Sequence, residues 1–379
     1  MIVGIDASRA FIKKRTGIEE YSYQVIKHLR QALESEQVIL YIRADQEADL
    51  DIPAAWKIQK LWAPRFWTQG RLSLEMLLHP PDVLFVPAHT VPLIHPKRTI
   101  VTIHGLEYEF CPAAYAWFER WYMRLSIRFS CWAAERIISV SENTKQDLMR
   151  TYAVPEEKIQ VIYEGYSQNI EYGISNMELD ASMAIRHAKP YLLFIGRLEE
   201  RKNIVRIIEA FEILKERYHI PHTLVLAGKP GYGYSKIKNL QSTIKHREAV
   251  IELGYVSEQE KWELFQEADV FLFPTLYEGF GIPVLEAQSV GVPVVASGTS
   301  SLPEVGGDAA VYVDPLNAES IALGVQKLLS DRSFRDGIIE KGKRNVELFS
   351  WKKCAQAIAT LLRGSELYCL RAIKDERES

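Results

Sequence analysis

Residues 270–291 read VFLFPTLYEGFGIPVLEAQSVG. A short apolar run of strand length is followed by a loop that contains Gly279 and Gly281, and then by an apolar segment with Pro283 near its start. Glycine allows close approach of the backbone to a ligand, and proline suits the first turn of a helix. The stretch therefore predicts a buried strand, a tight loop at its carboxyl end, and a helix that begins near Ile282.

The same order of strand and helix recurs on both sides of one interruption, and this order is typical of parallel α/β sheets. The pattern predicts strands at 2–5, 38–43, 83–86, 100–103, 137–140 and 159–161, and again at 191–196, 223–226, 250–253, 270–273, 292–296 and 311–313. Predicted helices include 16–34, 142–152, 204–218, 320–329 and 351–362, with Asn203 as the N-cap of the third.

Two domains follow from this repetition. We predict two Rossmann-like parallel-sheet domains that face each other across a cleft, at 1–168 and 189–345, with a linker at 169–188. The last segment, 346–379, is predicted to be a helix that packs back toward the N-terminal domain, followed by a polar tail.

The composition is that of an ordinary globular protein. The chain has 379 residues, 47% of them apolar and 25% charged, with a formal net charge of −3, which does not indicate a nucleic-acid partner. Four scattered cysteines without a C-x-x-C pair indicate neither a zinc site nor a disulfide framework. The sequence shows no signal peptide and no apolar run that spans a bilayer, so we expect a cytoplasmic protein.

The helix that begins near Ile282 is a candidate phosphate site. The N–H groups of Phe280, Gly281 and Ile282 have no partner within such a helix, and a helix end of this kind binds phosphate. One turn later, Glu286 is placed to accept the hydroxyls of a ribose, while Glu278 lies closer to a group beyond the phosphates. The alternative is a solvated Glu278 and a Glu286 that only complements the helix dipole. The glycines, the proline and the preceding strand favour the binding site.

A second candidate cluster is the turn GRLEERKN at 196–203, which follows a predicted strand. Arg197 and Lys202 lie at the carboxyl end of that strand, as Glu278 does. Two cations there can neutralise a diphosphate leaving group without a metal ion. The alternative is a pair of surface cations, and the nearby phosphate-binding helix end favours the clamp.

Further candidates lie in the first half of the chain. His104 closes a predicted buried strand in IVTIHGLEYE, where a histidine either donates to a sugar hydroxyl or is a satisfied core residue. Thr16 and Gly17 precede a predicted helix in the loop SRAFIKKRTGIEEY and are placed to face a diphosphate.

The ordered set of motifs resembles glycosyltransferase family 4, the large retaining GT-B family. It comprises RTGIEEY, TIHGLE, SVSENTKQDL, GRLEERKN and EGFGIPVLE, the last with the E-x7-E pair Glu278 and Glu286. The resemblance extends from Ile2 to about Leu362. It is nearest to bacterial mannosyl- and rhamnosyltransferases of surface polysaccharide assembly.

This resemblance implies a metal-independent, front-face transfer of a hexose with retention at the anomeric carbon. The implied donor is a nucleotide diphosphate sugar, best matched by GDP-mannose, and the acceptor is a glycan or lipid-linked glycan. The implied roles are phosphate binding by Arg197, Lys202, Thr16, Gly17, Phe280, Gly281 and Ile282, ribose binding by Glu286, and contacts to the donor sugar by Glu278 and His104. Many relatives have an aspartate where this chain has Gly105, so the supporting role of that aspartate is not carried over.

Other classes of enzyme fit less well. A metal-dependent GT-A transferase requires a D-x-D at a strand end, and the literal match Asp49–Asp51 lies in a polar stretch that we interpret as a solvated loop. A nicotinamide enzyme requires G-x-G-x-x-G after the first strand, and that motif is absent. Two alternatives to a transferase remain: a GT-B nucleotide-sugar epimerase, and a catalytically silent GT-B scaffold.

Residues 115–136 read YAWFERWYMRLSIRFSCWAAER and combine aromatic and basic side chains at helical spacing. Arg120, Arg124 and Arg128 form one stripe, and Trp117 and Trp121 begin another. A basic aromatic helix of this kind lies on anionic membranes, which suits a lipid-linked acceptor. The alternative, which the sequence favours, is that the aromatic side chains pack into the N-terminal domain.

Overall fold

The computed structural model describes residues 1–13, 15, 17–63, 65–166 and 189–364. Thr16, the predicted linker 169–188 and the predicted polar tail after residue 364 therefore lie outside the described residues. The chain forms two compact units. The first contains Met1–Leu106, Trp117–Gly165 and Phe349–Ser379, and the second contains Glu107–Ala116 and Tyr166–Leu348.

The first unit is built on a parallel sheet in the order β3-β2-β1-β4-β5-β6-β7. Its strands are β1 Ile2–Asp6, β2 Gln37–Arg43, β3 Trp56–Leu61, β4 Val83–Val86, β5 Thr99–Ile103, β6 Arg136–Ser139 and β7 Ile159–Val161. Every residue of β4 and β5 is buried, as expected for central strands that are covered on both faces.

The second unit has a parallel sheet in the order β10-β9-β8-β11-β12-β13. Its strands are β8 Tyr191–Ile195, β9 Thr223–Ala227, β10 Val250–Gly254, β11 Val270–Phe273, β12 Val294–Ser297 and β13 Val311–Val313. The central strands β8 and β11 pair directly, with Leu193 opposite Phe271. Their carboxyl ends are therefore neighbours, although the two strands are far apart in the chain. Both predicted Rossmann-like sheets are confirmed.

Helices connect the strands, as a parallel sheet requires. In chain order they are α1 Gly17–Ala32, α2 Ser73–Leu78, α3 Glu107–Phe110, α4 Trp117–Ala133, α5 Glu142–Tyr152, α6 Ile204–Tyr218, α7 Tyr234–Thr243, α8 Glu258–Glu267, α9 Ile282–Ser289, α10 Leu302–Gly306, α11 Ala318–Ser330, α12 Arg332–Val346 and α13 Trp351–Arg363. A π-helical turn, Trp67–Leu72, precedes α2.

The C-terminal helix α13 belongs to the first unit and packs on α1. The ring of Trp351 meets that of Tyr21 edge to face at 5.9 Å, and Arg363 donates to the carbonyl of Ala32 at 2.7 Å. This helix has a strongly amphipathic pattern, with Ile358 and Leu362 buried and lysines exposed. Burial of its apolar face on α1 accounts for its position.

The segment Glu107–Ala116 differs from the expected division, because it groups with the second unit although we predicted an unbroken N-terminal domain at 1–168. Within the second unit, the ring of Phe110 stacks on that of Tyr277 at 5.0 Å and 5° between planes. This contact joins residues that are far apart in the chain. The local apolar periodicity of strands and helices therefore cannot predict it.

Asn203 stands at the N-cap position of α6, as predicted, but its side chain does not cap the helix. Its backbone is left-handed, with φ 64°, and its side chain makes no cap hydrogen bond. The side-chain amide instead donates to the carbonyl of Pro274 at 2.8 Å and to that of Pro315 at 2.7 Å. Asn203 therefore ties the loop after β8 to the loops after β11 and β13.

Candidate functional site

The loops after β8 and β11 form a buried cluster of charges in the second unit. Glu278, which is 8% exposed, follows β11, and Lys202 closes the turn after β8. Lys202 Nζ donates to Glu278 Oε1 at 2.6 Å. The guanidinium of Arg201 lies 3.4 Å from the second carboxylate oxygen, Oε2. The sequence prediction placed Glu278 and Lys202 each at the carboxyl end of a strand, but it did not identify Arg201.

The electrostatics of this cluster keep Glu278 ionised. Burial raises the pKa of Glu278, but the charges of Lys202 and Arg201, with the hydrogen bond from Lys202, outweigh burial and hold the pKa below its ordinary value. Burial lowers the pKa of Lys202, and Arg201 lowers it further against the opposing charge of Glu278. The pKa of Glu278 falls because its two cations outweigh burial, whereas the pKa of Lys202 falls because burial and the charge of Arg201 outweigh the attraction of Glu278 and Glu199.

Two serines after β12 hold the loop that carries Glu278. The backbone N–H of Glu278 donates to Ser300 Oγ at 3.0 Å. Ser301 Oγ is within hydrogen-bond distance of the carbonyls of Glu278 and Phe280, at 2.9 and 2.7 Å. This loop forms no strand, so its backbone N–H and C=O groups bond to the serine hydroxyls instead of to a neighbouring strand. These hydrogen bonds fix the conformation of the loop.

The turn into α9 has the features of an anion site. α9 begins at Ile282, as predicted, and Gly281 immediately before it has φ 114°. Within the described part of the chain, the N–H groups of Gly281 and Ile282 donate to no protein acceptor. A side chain at Gly281 would place its Cβ 2.6 Å from Leu302 Cδ2 in addition to the unfavourable φ, so glycine is required there.

Glu286 lies on α9 and is buried. Its Oε1 accepts from Lys261 Nζ at 2.8 Å, and the same ammonium lies 2.7 Å from Glu258. Burial lowers the pKa of Lys261, but Glu286 and Glu258 outweigh burial and raise it above its ordinary value. The helix α8 thus supplies a charge partner for Glu286 that the sequence analysis missed.

Two other predicted donor-binding residues, Arg197 and Gly17, are exposed. Arg197 follows β8, but its side chain is 66% exposed and its Nε lies 3.8 Å from Glu199. In the part of the chain that the structure describes, Arg197 makes no ion pair with Glu278. Gly17 is exposed at the start of α1 in the first unit. The predictions for these residues are left open by the geometry.

His104 lies in the first unit and is partly buried, and both of its ring nitrogens have hydrogen-bond partners. Nε2 lies 2.8 Å from the carbonyl of Pro87, and Nδ1 lies 3.3 Å from Glu164 Oε1. The ring also meets Tyr21 edge to face at 4.5 Å. A carbonyl and a carboxylate both accept, so a ring that satisfies both contacts donates from both nitrogens. A contact with a sugar hydroxyl requires the exchange of one of these hydrogen bonds.

Sequence reasoning missed Arg201, Lys261, Ser300, Ser301 and Glu164. Arg201 directly precedes the predicted site residue Lys202, and the charge-rich turn EERK is the sequence feature that could have identified it. Lys261, Ser300 and Ser301 lie on elements whose place near Glu278 and Glu286 depends on strand order, and Glu164 lies beside His104 in the first unit. Among the described residues there is no group of three or more His, Cys, Asp or Glu side chains suited to hold a metal ion. None of the described helices has the length and apolar character needed to span a bilayer.

Family models match most of the chain in two consecutive parts. A model of glycosyltransferase family 4 matches residues 15–168, and a model of the group 1 glycosyl transferases matches residues 176–345. The chain belongs to the family 4, group 1 glycosyltransferases. The resemblance inferred from the motifs is therefore confirmed, and the fold is GT-B.

Among similar proteins, O-antigen chain mannosyltransferase B of Escherichia coli is 29% identical over 358 residues, which are 89% of this chain and 93% of that protein. O-antigen chain mannosyltransferase RfbU of Salmonella typhimurium is 23% identical and covers 81% of this chain and 86% of its own length.

Solved structures agree on the fold. WaaG, a glycosyltransferase involved in lipopolysaccharide biosynthesis, superposes with a TM-score of 0.70 at 17% identity, over 96% of this chain and 100% of that chain. Anabaena HepE in complex with UDP-glucose superposes with a TM-score of 0.69 at 15% identity, over 96% of this chain and 99% of that chain.

Proposed function

We propose that this glycosyltransferase transfers mannose from GDP-mannose to a glycan or lipid-linked glycan acceptor, with retention of the anomeric configuration and without a metal ion. The observation that carries this proposal is the buried contact between Lys202 and Glu278 beside the unpaired amides of Gly281 and Ile282. It places a cation, a carboxylate and two N–H donors on loops that follow adjacent strands. Ligands of parallel sheets bind at this edge.

The proposed chemistry is stabilisation of the leaving group. The amides of Gly281 and Ile282 and the ammonium of Lys202 receive the diphosphate, and Arg197 folds onto it from the surface. Charge that develops on the departing phosphate is thereby neutralised by groups already in place. These cations supply the role that a divalent ion has in other transferases, which supports metal independence.

Glu278 and Glu286 are proposed to orient the donor. A carboxylate that stays ionised accepts hydrogen bonds from the hydroxyls of the hexose, and the lowered pKa of Glu278 suits that role. Glu286, held by Lys261, accepts from the ribose. No side chain is required as a covalent nucleophile in this scheme, and positioning accounts for much of the rate.

The choice of mannose has its support in the relatives named as O-antigen mannosyltransferases. The names of those relatives also support an acceptor in surface polysaccharide synthesis. A related fold binds UDP-glucose, so the base and sugar are the parts of the proposal that most need a direct test.

A panel of GDP-, UDP- and dTDP-sugars tests the donor by release of the nucleoside diphosphate. We expect GDP-mannose to be the preferred donor, turnover to persist in EDTA, and the anomeric proton of the product to show the donor's configuration. Glu278→Gln and Lys202→Met should each reduce turnover at least a hundredfold, because each removes a group that acts on the leaving group or the sugar.

Lys238→Met is the matched control, since Lys238 pairs with Glu252 on the surface and should retain full turnover. Interconversion of nucleotide sugars without an acceptor would favour the epimerase reading. Failure to bind any nucleoside diphosphate would favour the silent scaffold. Near-normal turnover in both site variants would refute the proposed site.

We also propose that α4 binds the surface of an anionic membrane, where a lipid-linked acceptor resides. The sequence-based preference for packed aromatic side chains was wrong: Trp117 is 80% exposed and Trp132 is 76% exposed, with Phe118, Trp121 and Tyr122 also exposed. The buried residues of this helix are Ile127, Ser130 and Cys131. Exposed aromatic rings beside arginines on one helix suit the boundary between headgroups and acyl chains.

A further inference from the structure

The two buried cations that contact Glu278 differ in how they are held. Arg201 donates to the carbonyl of Tyr277 at 2.9 Å and to Glu199 Oε1 at 3.0 Å, and it pairs with Glu278 Oε2 at 3.4 Å. Its own carbonyl accepts from the N–H of Leu276 at 2.9 Å. Arg201 is therefore fixed to the loop that carries Glu278 by both its backbone and its side chain.

Lys202 is held by much less. Its Nζ has one hydrogen-bond acceptor among the described residues, Glu278 Oε1, and it lies 5.2 Å from the centre of the Phe273 ring. An ammonium carries three donors, so Lys202 can bind further acceptors. Its long, unbranched side chain can also turn without disturbing the backbone.

Binding of a diphosphate creates a conflict at this pair. If Lys202 turns to the phosphates, Glu278 loses the partner of its shortest hydrogen bond while it remains buried. A buried carboxylate without a counter-charge takes up a proton. A protonated Glu278 is a weaker acceptor for the hydroxyls of the donor sugar.

We propose that Arg201 is a positioning residue that acts as the permanent counter-ion of Glu278, while Lys202 is the exchangeable counter-ion that moves to the donor's diphosphate. Arg201 keeps Glu278 ionised and in place when Lys202 leaves. A guanidinium suits the permanent role because it does not lose its proton in proteins and its fork binds several acceptors at once. This inference rests on the proposed binding of a nucleotide diphosphate sugar.

The proton balance at the site depends on all the groups that face it. Glu278 faces Lys202, Arg201, Thr275 and Cys111, while Arg201 also faces Glu107, Glu199, Cys111 and Tyr115, and Lys202 also faces Glu199. The test therefore needs a variant that assigns an exchanged proton to Glu278 and to none of the others.

Calorimetry with GDP as the probe measures this proton. Titrations at about pH 7.5 in two buffers of different ionisation enthalpy give the number of protons taken up on binding. We expect Arg201→Met to bind GDP about tenfold or more weakly than the wild type and to take up an additional fraction of a proton, up to about one. The additional proton should vanish in the Arg201→Met, Glu278→Gln double variant.

Kinetics give a second readout. In Arg201→Met, kcat for transfer should fall about a hundredfold. Arg201→Lys retains the charge, so it should show the proton count of the wild type even with a lower kcat. The matched control is Arg206→Met, because Arg206 pairs with Glu209 on α6 outside the site and should leave kcat and the proton count unchanged.

Several results would overturn the inference. One is an Arg201→Met protein with the affinity, kcat and proton count of the wild type. Another is weaker binding without a proton that depends on Glu278, since a general structural defect produces that pattern. If Arg201→Met does not fold, uptake of the extra proton by Arg201→Lys would contradict the inference. Failure of the proposed function is distinct, because then the wild-type protein itself does not bind GDP or another nucleoside diphosphate.

Discussion

Lys202 Nζ and Glu278 Oε1 are 2.6 Å apart, although 76 positions separate the two residues in the chain. The contact exists because β8 and β11 are adjacent in the sheet, so the loops at their carboxyl ends meet. Both side chains are largely buried, and Arg201 adds a second cation at the same carboxylate. We expect the same contact to affect both donor binding and the stability of this unit.

Stability should depend on the ionisation of Glu278. Its pKa lies below the ordinary value of 4.5, so its contribution is fully present above about that pH and is lost as the pH falls through the lowered pKa. Glu278→Gln leaves two buried cations without their carboxylate and should cost about 3 kcal/mol near pH 7. Urea unfolding at a series of pH values measures this free energy.

The difference between the wild type and Glu278→Gln should shrink as the pH falls through the lowered pKa of Glu278, because Glu278 then becomes neutral in the wild type too. Glu340→Gln is the control: Glu340 is a surface residue paired with Lys343, and its substitution should change stability little. A difference that stays constant with pH would show that ionisation of Glu278 is not the source of the stability.

Lys261→Met should weaken the binding of GDP more than that of inorganic pyrophosphate. The substitution removes the cation 2.8 Å from Glu286, the predicted ribose ligand, while the phosphate-binding turn before α9 is unchanged. We expect the Kd for GDP to rise about tenfold and that for pyrophosphate to change less than about twofold. Calorimetry with both ligands checks this, and an equal loss for both would contradict the role assigned to Glu286.

Gly281→Ala should distort the turn before α9. The φ of 114° is strained for any residue with a side chain, and the new Cβ meets Leu302. We expect a loss of about 1–3 kcal/mol in the free energy of unfolding and a higher KM for the donor. Adding Leu302→Ala relieves the contact but not the strain, so it should not restore KM; full recovery would show that the backbone conformation is unimportant.

Membrane binding by α4 should depend on its exposed aromatic residues. Flotation with vesicles that contain anionic lipid should recover the wild-type protein at low salt and less of it at moderate salt. The variant with Trp117→Ser and Trp121→Ser should lose most of this binding. Trp62→Ser is the matched control, since Trp62 is an exposed tryptophan after the edge strand β3. Equal flotation of all three proteins would exclude α4 as the contact.

Local patterns in the sequence gave most of the secondary structure. The predicted bounds of β4, β7, β11 and β13, and of α5 and α6, match the structure, because each has a clear apolar period and a clear boundary. The strand β3 was missed, since WKIQKL contains two lysines and a glutamine without regular alternation and lies at the sheet edge, where burial is incomplete. The helix α12 was also missed, because it is rich in charged residues.

The sequence by itself determined which residue types stand at the strand ends: Glu278 and Glu286 around two glycines and a proline, and the cations of GRLEERKN. Only the tertiary structure decided how they pair, with Arg201 and Lys202 on Glu278, Lys261 on Glu286, and Arg197 at the surface. The physical reason is that apolar periodicity is a local property of the chain, whereas ion pairing depends on the order of strands in the sheet. That order brings β8 beside β11 and is set by the burial of the whole unit.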